Sequence, residues 1–277
     1  MSDRLPARMR ALGTELAALR LRANLTTRQA AARIGISSAT LNRIENAKRS
    51  ASVADVSAML AIYGVVGKER KRILALVEAV TAPGWLETDH QLKELIPALA
   101  NFESQASTVY HFAPANIPGL LQTQAYAQAI INDVMAENVP ALLADRLERQ
   151  KVLTKRGAPD YLAVLDEAAL RRPVGGSHVM AEQIRQLIER ANLPNIEIRV
   201  IPFKYSQYSS PGTFNVLGFA DAPPLVYVEH RAVSGFLDSP SGSRKLRDEA
   251  VKLAKVALDS TDSVNFLAMV AADYERR

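Results

Sequence analysis

Gly35 constrains this chain more than any other residue. It interrupts one short amphipathic run, and a second begins two residues later within GISSATLNRIENAKRS, residues 35–50. Before it, Thr26 is placed to cap a helix that carries Ala30, Ala31 and Ile34 on one side. After it, Ser37 is placed to cap another whose Leu41 and Ile44 share a face. A residue without a Cβ permits the sharp turn between them. Two short helices joined by such a turn form a helix-turn-helix.

The surrounding sequence supplies the rest of a helical head. Leu12, Leu16, Leu19 and Ala23 recur at helical spacing, and Asn24 and Leu25 end that run. Ser52 and Asp55 stand three apart, close to a capping box, ahead of Val56, Met59 and Leu60. Gly64 and Gly67 punctuate, and a basic helix is expected from Lys68 to Val80. The expectation is five helices over residues 1–80. TAPGW (81–85) marks the boundary, because proline and glycine stop the helix before the lone Trp85.

Charge sets this head apart. Residues 1–80 hold fourteen Lys or Arg and six Asp or Glu, a net +8, whereas the whole chain is +5 and the remainder therefore −3. A basic head on a slightly acidic body points to a polyanion as the partner of the head alone, although many basic faces are simply solvated. If Leu41 and Ile44 pack inward, Ser38, Ala39, Asn42 and Arg43 lie on the opposite side. A helix entering the major groove must approach base edges closely, which favours small and amide side chains at its leading positions. Asn42 can pair with adenine, and Arg43 with guanine or a phosphate. Thr26, Thr27 and Arg28 can offer hydroxyls, backbone N–H groups and charge to a phosphate, and Lys48 and Arg49 can grip the backbone beside the groove. With Ser37 and Thr40 these residues make up the candidate DNA-binding set. A plain helical bundle with a basic face is the alternative, weakened by the order of five helices, the turn and the caps.

The stretch LTTRQAAARIGISSATLNRIENAKRSASVADVSAMLAIYGV resembles the helix-turn-helix of phage-repressor-like, XRE-type regulators, on Ala31, Gly35, Leu41, Ile44, Glu45 and the basic Lys48 and Arg49. Ala47 departs from the pattern, standing where that family often has glycine, so the turn after the third helix is expected to be tighter or altered. The resemblance implies an ion pair between Arg20 and Glu45, and removing one partner would strand a partly buried charge.

The body reads differently. Helices are expected over Leu92–Ser107, after Pro118-Gly119, over residues 140–155, from His178 to Ala191 and from Ser243 to Leu258. Strands are expected at TVYHFAP, YLAVLDEAAL (161–170), IEIRVIPF (196–203), TFNVLGFA (213–220) and PLVYVEHR (224–231), on their β-branched and aromatic content and turn-forming flanks. The fold class is therefore an all-α five-helix head (1–80) followed by a larger α+β domain (81–277). IPGLLQTQAYAQAI, RLERQKVL, VLDEAALRRPVGG and VYVEH together resemble the C-terminal domain of WhiJ-like, antitoxin-like regulators of filamentous soil bacteria. The resemblance implies a head-plus-body transcription factor, often encoded beside a small partner protein. Asp166, Glu167, Arg171 and Arg172 gather at a strand end and form a possible ligand or partner site. A salt-bridged loop accounts for the same residues. Leu120 and Leu121 read as core rather than as a binding groove.

Several chemistries lack their residues. Without cysteine there are no disulfides and no thiolate metal sites. His90, His111, His178 and His230 show no zinc-protease spacing, and no phosphate-binding GxxxxGK[ST] is present. Self-cleaving repressors need an Ala-Gly bond, which this chain does not contain. No catalytic residue, metal or cofactor is expected; an enzymatic body would need a polar cavity lined by Asp166, Glu167 and Arg171. The first twenty residues have no long apolar run, which predicts a cytoplasmic protein with no signal peptide or membrane span. The expected partners are double-stranded DNA with an inverted repeat, a second copy of the chain and, from the resemblance, a small cognate protein. A mainly protein-binding, antitoxin-like role is the alternative.

Overall fold

The structure, a computed structural model, describes residues 7–78, 85–88, 92–134, 138–205, 208–230, 233–238 and 240–276. The chain divides into two compact units, Met1–Glu87 with Gly235–Ser239, and Thr88–Ser234 with Pro240–Arg277.

The first unit contains five helices, α1 (Ala7–Arg22), α2 (Thr27–Ile34), α3 (Ser38–Glu45), α4 (Val53–Ile62) and α5 (Gly67–Glu78), then a short strand, β1 (Trp85–Thr88). The apolar stripes read from the sequence converge: Leu12, Leu16 and Leu19 meet Ala30, Ala31, Leu41, Ile44, Val56, Met59, Leu60 and Ile73 in one core. Starts and stops of the helices are written locally. Thr26 with Gln29, and Ser52 with Asp55, form reciprocal capping boxes, and Ser37 caps α3. The first four helices are followed by left-handed residues, Asn24 (φ 54°), Gly35 (φ 83°), Ala47 (φ 54°) and Gly64 (φ 75°). Behind α3 the amide of Lys48 reaches back to the Arg43 carbonyl at 2.7 Å and that of Ala47 to Ile44 at 2.9 Å. That is a Schellman closure with alanine where glycine is the easy residue. The turn at Ala47 is therefore not altered as the departure from glycine suggested: alanine takes the left-handed conformation itself, and the residue is buried, 4% exposed. Residues 79–84, with most of TAPGW, lie outside the described residues.

The second unit is α+β. Its elements are α6 (Leu92–Gln105), β2 (Thr108–Ala113), α7 (Gln124–Val134), α8 (Val139–Gln150), β3 (Asp160–Asp166), α9 (Glu167–Arg171), α10 (Ser177–Ala191), β4 (Ile196–Ile201), β5 (Thr213–Gly218), β6 (Leu225–Glu229), α11 (Pro240–Val256) and α12 (Ser260–Glu275); β7 (Val233–Leu237), between β6 and α11, is divided, its last three residues counting with the first unit. The five strands wholly within this unit follow one another as β6-β5-β2-β3-β4. β2, β3 and β4 are parallel neighbours, as their helical crossovers require, while β5 runs antiparallel to both β2 and β6. Leu120 and Leu121 are buried, in a turn of 3-10 helix that leads into α7.

YLAVLDEAAL is not one strand. β3 stops at Asp166, whose carboxylate accepts the Ala168 amide at 2.7 Å and so caps α9. The strands β1 and β7 and the helix α12 were not anticipated. α12 starts at Asp259, which accepts the Asp262 amide at 2.8 Å, and its Ser263 hydroxyl accepts the Val200 amide of the edge strand β4 at 3.0 Å.

Candidate nucleic-acid interface

α3 divides into two faces. Leu41, Ile44 and Glu45 are buried, while Ser38, Ala39, Asn42 and Arg43 are exposed and Thr40 is half-buried. The burial of Glu45 has its own cause. Arg20 from α1 donates to it through Nε at 2.7 Å and Nη2 at 3.0 Å, and through Nη1 to the Leu25 carbonyl at 2.8 Å. The hydrogen bond to Glu45 holds the Arg20 guanidinium above its ordinary pKa. This expected ion pair locks α3 to α1 with both charges out of water, where loss of one partner costs about 3–5 kcal/mol.

A second lock was not anticipated. A Cβ on Gly13 of α1 would stand 2.6 Å from the Glu45 carbonyl oxygen and 2.8 Å from that of Ile44. The backbone of α1 therefore runs directly against the C-terminal end of α3. In the sequence Gly13 is only a weak helix former among leucines; the signal for it lies in the position of another helix's carbonyls.

At the start of α2 the Thr26 hydroxyl is already engaged. It accepts the Gln29 amide at 3.3 Å and donates to Gln29 Oε1 at 2.9 Å, as does the Thr26 amide. What α2 offers an anion is the remaining first-turn amides, those of Thr27 and Arg28, with the positive end of the helix dipole behind them. Ser37 is similarly occupied: its Oγ accepts the Thr40 amide at 3.0 Å and donates to Thr40 Oγ1 at 2.9 Å. Ser38, Ala39, Asn42 and Arg43 are left as the accessible face. Asn46 joins them. It is exposed at the end of α3, one turn beyond Asn42, and its side-chain amino group donates to the Asn42 carbonyl at 2.8 Å and to Asn42 Oδ1 at 3.1 Å. Its role is not visible in the sequence, where it stands only as a polar residue after the last core position of α3.

The charges are sorted in space. Glu15 pairs with Arg72, Glu69 with Arg22 and Glu45 with Arg20, while Asp55 caps α4. By contrast Arg28, Arg43, Lys48 and Arg49 are exposed and form no ion pair among the described residues. Arg33 of α2 and Lys68 and Lys71 of α5 are likewise exposed and form no ion pair among the described residues, so the uncompensated positive charge of the head lies on the helix-turn-helix, beside it and on α5.

In the body, two of the four residues singled out at the end of β3, Glu167 and Arg171, are joined in an ion pair, while Asp166 and Arg172 are not part of it. Asp166 also accepts the Tyr208 hydroxyl. Glu167 pairs with Arg171 at 3.1 Å and accepts the Phe203 amide at 2.8 Å, and Arg171 reaches Asp273 of α12 at 2.6 Å. This is a salt-bridged junction of α9 and α12, and Arg172 stays exposed outside it. Another polar group lies elsewhere in the same unit, where His111, Asn215 and Tyr227 stand in register across β2, β5 and β6, all buried. Glu103, 1% exposed, faces Arg149 at 3.1 Å. Burial pushes the Glu103 carboxyl up to about 7, and burial with Arg149 nearby pushes His111 down to about 3. Among the described residues no cluster of three or more His, Asp or Glu is arranged to hold a metal ion, and no helix is long and apolar enough to cross a membrane.

Comparison with known families agrees with this division. Residues 11–73 match a family described as a helix-turn-helix domain. Residues 96–269 match a domain of unknown function (DUF5753). No curated protein and no solved structure matches the chain.

Proposed function

The chain belongs to the family of the domain of unknown function DUF5753 and carries a DNA-binding helix-turn-helix, and from this we propose a sequence-specific transcriptional regulator that reads the major groove with residues 37–47. One observation carries the reading. The Ser38/Asn42 side of α3 is exposed, and Arg28, Arg43, Lys48 and Arg49, on the helix-turn-helix and just after it, form no ion pair among the described residues. Phosphate contacts from Arg28, Lys48, Arg49 and the α2 amides supply affinity, and Ser38, Ala39, Asn42 and Arg43 meet base edges. One head reads few bases. The regulator therefore acts as a homodimer on an inverted repeat with half-sites about 34 Å apart. The body is assigned dimerisation or the binding of a small partner or ligand, and no catalysis. Its likeness to WhiJ-like, antitoxin-like regulators favours a small cognate protein as that partner.

The test is selection of bound duplexes from a random library by the full chain, followed by titration of variants. Asn42→Ala costs about 1–3 kcal/mol at one base position and relaxes specificity there. Arg49→Ala weakens binding to all sequences and lowers the salt slope by about one. If both variants bind the selected site like the parent, the groove assignment fails. Weak, salt-insensitive DNA binding beside tight capture of a co-encoded small protein would instead favour the antitoxin-like role.

A further inference from the structure

Asn46 has a task that its place at the end of α3 does not require. Its side-chain amide makes two contacts on Asn42, one turn earlier, to the main-chain carbonyl at 2.8 Å and to Oδ1 at 3.1 Å. The first contact fixes the second. A main-chain carbonyl can only accept, so the group facing it must be the Asn46 amino group. That amino group then requires an acceptor on the Asn42 side chain, which places Oδ1 toward the C-terminal end of α3 and Nδ2 away from it. Turning the Asn42 amide over would set two amino groups against each other.

We infer that Asn46 is a positioning residue that presets Asn42 for adenine and against guanine. The inference rests on the groove reading above. Oδ1 has two acceptor sites and Asn46 fills one. Asn42 therefore presents an acceptor and a donor in fixed order to whatever lies before it. Adenine offers the complement in the major groove, the N6 donor and the N7 acceptor. Guanine offers two acceptors, N7 and O6, so the fixed Oδ1 would face O6 with no proton between them. An unrestrained asparagine escapes that penalty by rotating its amide and offering only the amino group to guanine. Asn46 closes that route. Both residues are exposed, so the arrangement is held by these hydrogen bonds rather than by packing.

The experiment is parallel selection from a random duplex library by the full chain and its Asn42→Ala, Asn46→Ala and Asn46→Asp variants, with circular dichroism to check folding. The position that loses preference in Asn42→Ala is the one read by Asn42. There Asn46→Ala is expected to lower adenine-over-guanine preference about tenfold, within the range of one bidentate pair, while affinity for the best site changes little. Asn46→Asp, which can donate to neither acceptor and is repelled by the Asn42 carbonyl, likewise frees the Asn42 amide and lowers the adenine preference. A purely structural cap would instead weaken binding to every sequence alike, and that uniform loss overturns the inference. Unchanged preference in both Asn46 variants, at a position that Asn42→Ala does define, overturns it while leaving the groove reading intact. Absence of any position sensitive to Asn42 overturns both.

Discussion

Replacing Gly13 by alanine tests the lock between α1 and α3 most directly. The added Cβ would sit 2.6 Å from the Glu45 oxygen and 2.8 Å from the Ile44 oxygen, where ordinary carbon–oxygen contacts lie at about 3.3 Å or more. One helix must therefore retreat by roughly 0.7 Å, and the atoms in the way are backbone, which cannot rotate aside. α3 is also pinned by Leu41 and Ile44 in the core and by Glu45 on Arg20. Overpacking of this kind costs about 1–3 kcal/mol. Against it stands the better helix propensity of alanine, about 0.5–1 kcal/mol. The expected balance is a loss of about 1–2 kcal/mol. For a unit of this size each kcal/mol lowers Tm by about 4–8 °C. Calorimetry of the full chain should show the head transition falling by about 5–15 °C, with DNA affinity falling as α3 is displaced. If Gly13→Ala raises the Tm instead, as it would on an open helix face, the close approach of the two backbones is refuted.

Three further outcomes follow from the same structure. Glu45→Ala or Arg20→Ala alone should cost about 3–5 kcal/mol by urea denaturation, and replacing both with apolar residues should recover most of it. At the left-handed turns, Gly35→Ala meets no neighbouring atom within 4 Å and so carries backbone strain alone, about 1–2 kcal/mol, whereas Ala47→Gly trades relief of that strain against a buried methyl of about 0.8 kcal/mol and should stay within about 1 kcal/mol of the parent. Glu103, with a folded pKa of about 7 against an ordinary 4.5, binds its proton more tightly when folded. Its contribution is complete below the ordinary value and is lost as pH rises through about 7, so Glu103→Gln should gain stability relative to the parent between pH 5 and 8, read by denaturation at each pH.

How much of this was legible in the sequence follows the range of each interaction. Caps are local: Thr26–Gln29, Ser37–Thr40 and Ser52–Asp55 are three residues apart, and each formed. The core faces of α1 to α4 followed from period. The Arg20–Glu45 pair spans 25 residues and was reached through family resemblance, not spacing. Gly13 was opaque because its role depends on carbonyls of another helix. Asn46 was missed because what matters is which atom of an amide faces which. In YLAVLDEAAL an apolar run hid the change from strand to helix, although Asp166 was a capping signal in plain view. The short strand β7 offered only five residues of pattern. The pair of Glu167 and Arg171 was legible from its i, i+4 spacing, but the Asp273 that completes the junction lies 102 residues beyond Arg171.

The two classes of charge in the head differ in their access to dissolved ions. Arg20 and Glu45 meet inside the protein, where counterions do not reach, whereas Lys48 and Arg49 stand in solvent beside the bare face of α3. Ionic strength therefore acts on one and not the other. A rise in salt should detach the molecule from a nucleic acid while α3 keeps its seat, so that release is reversible and the same head can bind again without refolding.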